Sequence, residues 1–292
     1  RPNVTSDVSG LCLKSGNAVI LRGSSYCLDS NIAILEVLQN SLVLSNCSKY
    51  IFQIIESKDR QDTIEFMNLT EFVDLIIPRG GKGLIQTLVD NSKVPFILDG
   101  DGNVHLYIHQ DAKKEHIIDI VINSKVQRPG VCNALETLII NSEIYQDMGG
   151  LIIEELLKNK VELFVDEKIK EDFPSLNLAN KSHYETEFLD LKLAVKVVDN
   201  VDQAIDHIKI FSSGHTEAIL TESKEVADTF AKSIDSSVIF INSSTRFTDG
   251  EMFGFGSEIG ISTQKLHVRG PMGLEALTNE RYVVTGEGTV RG

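Results

Sequence analysis

The 292-residue sequence has no tryptophan, four cysteines, six prolines and too few basic residues to balance its acids. Each shortage excludes something. Twenty-eight Lys plus Arg against 42 Asp plus Glu leave a net charge of −14. Such a surface lacks the broad basic face that displaces counterions from nucleic acid, and it does not seek anionic lipid. Cys12, Cys27, Cys47 and Cys132 lie far apart with no CxxC pair. They are too sparse for a disulfide scaffold and lack metal-ligand spacing, so a reducing, cytoplasmic setting and no metal are expected. No apolar run approaches the ~20 residues of a membrane span. The opening Arg1-Pro2-Asn3-Val4-Thr5 is not a secretory leader. A chain that starts at arginine is expected to be processed, truncated or trimmed. Internal repeats and low-complexity segments are absent as well.

What is present is a regular alternation. Short apolar runs at 18–21, 50–55, 72–77, 104–108, 137–140, 161–165, 193–198, 218–220 and 238–241 read as strands. Amphipathic stretches at 29–44, 83–89, 112–123, 152–157, 201–210 and 224–233 read as helices. Strand and helix in turn specify crossover units on mainly parallel sheets. The length allows two domains, and two sheets are expected, with a boundary within 100–110. The glycine-rich stretches 79–83, 99–103 and 250–260 read as loops.

Four segments carry chemistry. Arg22-Gly23-Ser24-Ser25 follows the first strand, where ligands meet open α/β sheets; taken alone, Arg22 is a solvated charge at a strand end. Arg79-Gly80-Gly81-Lys82-Gly83 is a strand–turn–helix joint whose backbone amides suit a phosphate, although many such joints contain glycine. Gln127-Arg128-Pro129-Gly130-Val131-Cys132-Asn133-Ala134 sets a cysteine after a helix, beyond a Pro-Gly turn, with Lys125 and Arg128 close by. A nucleophilic thiolate needs such a loop, with positive charge and backbone donors at hand. The commoner fate of a cysteine, inert burial, is assigned to Cys12, Cys27 and Cys47. Finally, Ser243-Ser244-Thr245-Arg246-Phe247 offers hydroxyls and a guanidinium that could bind carboxylate or phosphate, or form a polar turn. His207 and His215 have no evident third partner and read as structural.

At Cys132 the residues become specific. Residues 1–5, Leu13-Lys14-Ser15-Gly16-Asn17-Ala18-Val19-Ile20-Leu21-Arg22-Gly23, Asp74-Leu75-Ile76-Ile77-Pro78-Arg79-Gly80 and residues 127–137 resemble, in the same order, segments of the gamma-glutamyl phosphate reductases. These glutamate-5-semialdehyde dehydrogenases are a branch of the aldehyde dehydrogenase superfamily. Residues 198–219, 242–250 and Gly260-Ile261-Ser262-Thr263 extend the resemblance over essentially the whole chain. Phe211 departs from it, standing where the family usually has Tyr or His.

The resemblance implies an α/β, aldehyde-dehydrogenase-like fold with two parallel-sheet domains and a C-terminal oligomerisation strand. On that scheme, 1–103 is an N-terminally incomplete, Rossmann-like cofactor domain and 104–262 carries the cysteine. Residues 263–292 return to the cofactor domain and form the oligomerisation tail. Family members are longer, and the difference falls before Arg1; a sheet without its first strands would expose an unpaired edge. The implied activity is NADPH-dependent reduction of L-glutamyl 5-phosphate to L-glutamate 5-semialdehyde and phosphate through a cysteine thioester, in proline biosynthesis. Cys132 is the implied nucleophile. Arg22, Gly23, Ser24, Ser25, Gly80, Gly81, Glu187 and Phe253 fall at cofactor positions. Asn3, Arg128, Asn133, Ser244, Thr245 and Arg246 are expected at the substrate.

The implied partners are a second copy of the chain, in a dimer or larger homo-oligomer, and a glutamate kinase, separate or fused upstream. Hydrolytic relatives carry a glutamate that activates water, where this chain has Leu98 followed by Asp99. The alternative readings are therefore a hydrolytic aldehyde dehydrogenase using Asp99, or a non-catalytic fragment that binds nucleotide or dimerises.

Overall fold

In the computed structural model, which describes residues 3–292, ten helices and eleven strands follow one another in the described residues. The strands are β1 Val19–Leu21, β2 Phe52–Ile54, β3 Val104–Ile108, β4 Leu135–Asn141, β5 Glu162–Val165, β6 Asn177–Leu178, β7 Lys192–Val198, β8 Thr216–Leu220, β9 Val238–Ile241, β10 Ile261–Ser262 and β11 Gly270–Pro271. The helices are α1 Asn3–Ser15, α2 Leu28–Leu44, α3 Arg60–Phe66, α4 Lys82–Asn91, α5 Lys114–Val126, α6 Ser142–Lys158, α7 Glu167–Asp172, α8 Lys181–Tyr184, α9 Val201–Phe211 and α10 Lys224–Ser233. Two compact units result: 1–62 with 257–259 and 272–292, and 63–256 with 260–271.

The larger unit is built on a seven-stranded, all-parallel sheet in the order β6-β5-β7-β4-β3-β8-β9. Its central strands are buried on both faces, as the unbroken apolar runs require. On one face α5 and α6 lay Ile117, Val121, Ile152, Ile153 and Leu156 against Leu106, Leu138 and Val195. On the other, α9 and α10 lay Ile205, Ile208 and Phe230 against Tyr107, Ile139 and Ile219. Side-chain caps set the helix starts: Asn141 accepts from Glu143 N, Asn200 from Gln203 N and Ser223 from Val226 N.

One irregularity interrupts the sheet. Val104 pairs with Leu135, but His105 pairs with Thr137, so Glu136 is an extra residue bulged from β4. Bulges re-aim a side chain and are uncommon in parallel pairs.

The smaller unit pairs β1 with β2 in parallel, and α2 packs Leu35 and Leu42 against Phe52. The expected first sheet is therefore two-stranded among the described residues. The expected strand at 72–77 is absent. Only an isolated parallel bridge joins Ile76 to Phe96, with Ile76 N donating to Pro95 O and Ile97 N to Ile76 O. Pro78 and Pro95 flank this bridge and have no N–H to extend a ladder.

A further correction concerns apolar length: Ser25–Leu44 is long and apolar enough, by length and composition, to cross a membrane. Its Asp29, Asn31, Glu36, Gln39 and Asn40, and its contact with Phe52, are those of a helix laid on a sheet.

Candidate functional site

Cys132 lies in the connection from α5 to β4, at the amino end of the sheet, and is partly buried. The connection is held from three directions. Behind it, the segment after β9 crosses from the carboxyl end, where Asn242 Nδ2 donates to Thr221 O (2.8 Å), to the amino end. There the Thr248 hydroxyl meets that of Thr216, also at 2.8 Å. On the way Thr245 Oγ1 donates to Asn133 O (2.8 Å) and Asn133 Nδ2 donates to Thr248 O (2.7 Å). Ser244 Oγ meets Ser124 Oγ at 3.1 Å.

Ser244, Thr245 and Asn133, expected at the substrate, are buried and brace the connection that carries Cys132. The Thr245 hydroxyl is spent on a backbone carbonyl and does not point to solvent. Asn133 Oδ1 is buried without a partner among the described groups. A buried acceptor left open this way calls for an explanation.

The second side is cationic. The half-buried Arg246 donates from Nε to Gln127 Oε1 at 2.8 Å. Burial lowers its guanidinium from the usual value, and the neighbouring Arg128 charge lowers it further; Asp249 and Cys132 act in the opposite sense. Arg246 thus feels the like charge of Arg128 and the thiol of Cys132 together, a setting that suits an anionic ligand. Arg128 itself is exposed.

The third side is the base of the connection. Lys125, in the last turn of α5, and the bulged Glu136 form an ion pair of 2.8 Å with both side chains 0% exposed. Burial pushes Glu136 up to about 7 despite Lys125, and burial lowers Lys125 despite Glu136. Burying two charges costs several kcal/mol each, so such a pair is weak support for stability. The other oxygen, Oε1, accepts the Leu189 N–H at 3.1 Å. Lys125, named in the sequence only as a nearby charge, is thus committed to Glu136. The role of Glu136 was not legible there, because nothing local marks a bulge.

Glu187, two residues before Leu189, accepts the Gly102 N–H on Oε1 at 2.7 Å. Gly102 in turn lies against the Cys132 backbone: a Cβ on Gly102 would stand 1.7 Å from the Cys132 carbonyl oxygen. Asn103 continues the seam, donating from its amide to Ser213 Oγ (3.0 Å) and from Nδ2 to Tyr184 O and Phe211 O. Phe211 packs with Tyr184 and His207, so the departure at 211 is an aromatic exchange within a packed cluster. His207 and His215 are buried and held neutral, lowered by desolvation to about 2 and about 4.

Asp99 is engaged by both carboxylate oxygens. Oδ1 accepts the Ile261 N–H at 2.8 Å, and Oδ2 pairs with Arg79.

Gly80 and Gly81 are exposed, and Gly81 is the N-cap of α4. Phe253 is exposed, edge-on to Phe240 and Phe255. Of the remaining thiols, Cys12 is buried and pushed up by desolvation, Cys27 is partly buried, and Cys47 is exposed rather than buried.

In the smaller unit, Arg22, Gly23, Ser24 and Ser25 line one pocket of about 240 Å³ with Leu28, Ile55, Ser57, Lys58 and Arg60. Three cationic side chains and three hydroxyls at the carboxyl ends of β1 and β2 make a phosphate-binding composition. Sequence inspection named Arg22 but missed Lys58 and Arg60, which follow β2 and reach the pocket only through the β1–β2 pairing. Asn3 opens α1, exposed, and donates to Asp7 at 3.1 Å. No group of three or more His, Cys, Asp or Glu side chains suited to a metal occurs among the described residues.

No family model matches the chain. It is 50% identical over 291 residues to the gamma-glutamyl phosphate reductase of Thermoanaerobacter pseudethanolicus, covering 100% of this chain and 70% of that protein. It is 47% identical, with the same coverage, to the gamma-glutamyl phosphate reductase of a Listeria monocytogenes strain. The crystal structure of gamma-glutamyl phosphate reductase from Thermotoga maritima superposes with a TM-score of 0.97 at 46% identity, over 100% of this chain and 70% of that one. An acetylating aldehyde dehydrogenase from Geobacillus thermoglucosidasius, 18% identical, shares the fold with a TM-score of 0.76 over 100% of this chain and 74% of its own. The fold is therefore aldehyde-dehydrogenase-like, and the chain belongs to the gamma-glutamyl phosphate reductase family.

Proposed function

We propose that the chain reduces L-glutamyl 5-phosphate to L-glutamate 5-semialdehyde and phosphate with NADPH, through a thioester on Cys132. Family membership makes it an oxidoreductase of proline biosynthesis. The observation that supports the mechanism is Cys132 in a braced loop, with the half-buried Arg246 in electrostatic reach of both the thiol and Arg128.

An acyl phosphate is electrophilic at its carbonyl carbon. The Cys132 thiolate attacks that carbon and the C–O bond to phosphate breaks, leaving a thioester and free phosphate. Arg128 and Arg246 hold the phosphate and the α-carboxylate of the substrate, and Asn133 and Ser244 line the same side. Thr245 acts by holding the Asn133 carbonyl. Bound cofactor supplies the hydride that takes the thioester to the aldehyde and returns the thiolate.

The residues fit NADPH. Arg22, Lys58 and Arg60 with Ser24, Ser25 and Ser57 suit a ribose phosphate. In the larger unit, the proposed cofactor residues are Glu187, whose carboxylate suits a ribose hydroxyl, and Gly80, Gly81 and Phe253. Residues 1–103 are assigned to cofactor, 104–262 to chemistry and 263–292 to the return and self-association in a homodimer or larger oligomer. A glutamate kinase is the proposed source of the acyl phosphate, and the cytoplasm the proposed location.

The state of Asp99 favours phosphate release over hydrolysis. A carboxylate that accepts a backbone amide and pairs with Arg79 is poorly placed to activate water. The test is the reverse reaction, in the complete polypeptide. Oxidation of the semialdehyde should require inorganic phosphate, and Arg246→Ala or Arg128→Ala should raise KM for phosphate about 10- to 100-fold. Arg22→Ala should weaken NADPH much more than NADH. Oxidation at full rate without phosphate would establish the hydrolytic reading instead.

A further inference from the structure

We propose that Gly102 is a positioning residue that ties the nucleophile to the cofactor carboxylate, so that Cys132 and Glu187 keep one fixed relation. The proposal rests on the reading of Cys132 as nucleophile and Glu187 as cofactor ligand. It is carried by two independent contacts of one buried residue. On its amide side, Gly102 donates to Glu187 Oε1 at 2.7 Å. On its Cα side, the space a side chain would fill is taken by the Cys132 backbone: a Cβ would lie 1.7 Å from the carbonyl oxygen, 2.4 Å from the carbonyl carbon and 2.6 Å from Cα. No rotamer relieves a clash with backbone. Gly102 is not in a left-handed conformation, so it is the close approach that requires glycine, not the dihedral angles.

The surroundings make this seam rigid. Asn103 anchors the chain beside Gly102 through three hydrogen bonds. Leu189, at φ +53°, is held by the Glu136 carboxylate, which Lys125 pairs. The segment 187–189 is thus tied at one end to Gly102 and at the other to a residue four places after Cys132. Hydride delivery to a thioester needs the two groups fixed within a fraction of an ångström, and a displacement of about 1 Å costs on the order of 100-fold in rate.

The test compares Gly102→Ala with Gly149→Ala in the complete polypeptide. Gly149 also lacks room for a Cβ, which would stand 2.3 Å from the Tyr145 ring, a milder clash with a side chain and away from the Cys132 backbone. Gly102→Ala should lose about 100-fold in kcat per folded molecule and raise KM for NADPH. Gly149→Ala should keep its kcat per folded molecule. Parental kcat and KM in a folded Gly102→Ala would overturn the proposal.

If Gly102→Ala does not fold, the rate of Cys132 alkylation by iodoacetamide in cofactor-free protein decides. Glu187→Gln and Glu187→Ala remove the same charge, but only the glutamine keeps an oxygen for the Gly102 amide. At least a threefold difference between them is expected, and equal rates would overturn the tether. Cys132→Ser is run alongside. If it is inactive while Gly102→Ala behaves as parent, the tether alone fails; if it retains turnover, the nucleophile assignment and this inference fail together.

Discussion

The two ends of the seven-stranded sheet are built from the same kinds of residue and are put to different use. At the carboxyl end, His109, Asp111, Thr221 and Asn242 close on one another. Asp111 Oδ1 meets His109 Nδ1 at 2.6 Å and accepts from Thr221 Oγ1 at 2.7 Å, and Thr221 N donates to Asn242 Oδ1 at 2.9 Å. The hydrogen bonds from His109 and Thr221 hold Asp111 below its usual value, against the pull of burial. At the amino end, Arg246 feels both Arg128 and the Cys132 thiol, Asn133 Oδ1 is buried and open, and a buried ion pair lies at the base of the loop. A polar network that satisfies itself stabilises a fold, whereas a buried polar atom left open calls for an explanation. Open α/β sheets usually take ligands at their carboxyl ends. In this unit the opposite end carries the proposed chemistry, because the α5–β4 connection, the approach to β3 and the approach to β7 all begin there.

The largest expected effect sharpens this contrast. Cys132→Ser should lower turnover about 1,000-fold or more, since a serine hydroxyl ionises far less readily than a thiol, while its unfolding midpoint stays near parental. Asp111→Asn at the other end should do the reverse, keeping kcat and losing about 1–2 kcal/mol of stability. Steady-state kinetics and urea titration of both variants check this; loss of turnover in Asp111→Asn would dissolve the distinction between the ends.

Next in size is Lys125→Met, which removes the cation from the buried Glu136 carboxyl. It should cost about 3–5 kcal/mol, and Lys125→Met with Glu136→Gln should recover much of that. The recovery is read as the difference in denaturation midpoints. Its absence would mean that the pair acts through packing and not charge.

The smallest effect is in pH. His207 and His215 have folded values of about 2 and about 4 against an ordinary 6.5. Both are lowered, so their contribution is complete above pH 6.5 and is lost as the pH falls toward 4. Each removes about 1.4 kcal/mol per pH unit in that range. Glu136, raised from 4.5 to about 7, acts oppositely and favours the fold increasingly as the pH drops from 7 to 4.5. His207→Gln should therefore flatten the acid limb between pH 6.5 and 5 by about one proton, measured from urea midpoints at stepped pH. An unchanged slope would place the buried charge elsewhere.

How much of this was legible in the sequence depends on where each cause lies. The strands at 104–108, 137–140, 193–198 and 218–220 were readable because a strand covered on both faces must be apolar throughout, and 238–241, at the sheet edge, by its own unbroken apolar run. The run at 72–77 looked the same, yet it needed a neighbour able to form a ladder, and Pro95 stood opposite. Cys132 was marked by its own loop, and Arg22 by its place after a strand. Thr245 could be recognised as a hydroxyl, but its direction toward Asn133 O was not encoded nearby.

By itself, then, the sequence determined the crossover units, the acidic charge balance and the setting of Cys132 in a loop between helix and strand, all set by local pattern and composition. Tertiary structure decided the open amino end, the Glu136 bulge paired with Lys125, and the seam at Gly102. Those features join residues that are 11, 30 and 85 positions apart. A glycine that matters for what fills its empty side, or a carboxylate that matters for what it is buried against, carries no mark until the chain has brought its partner to it.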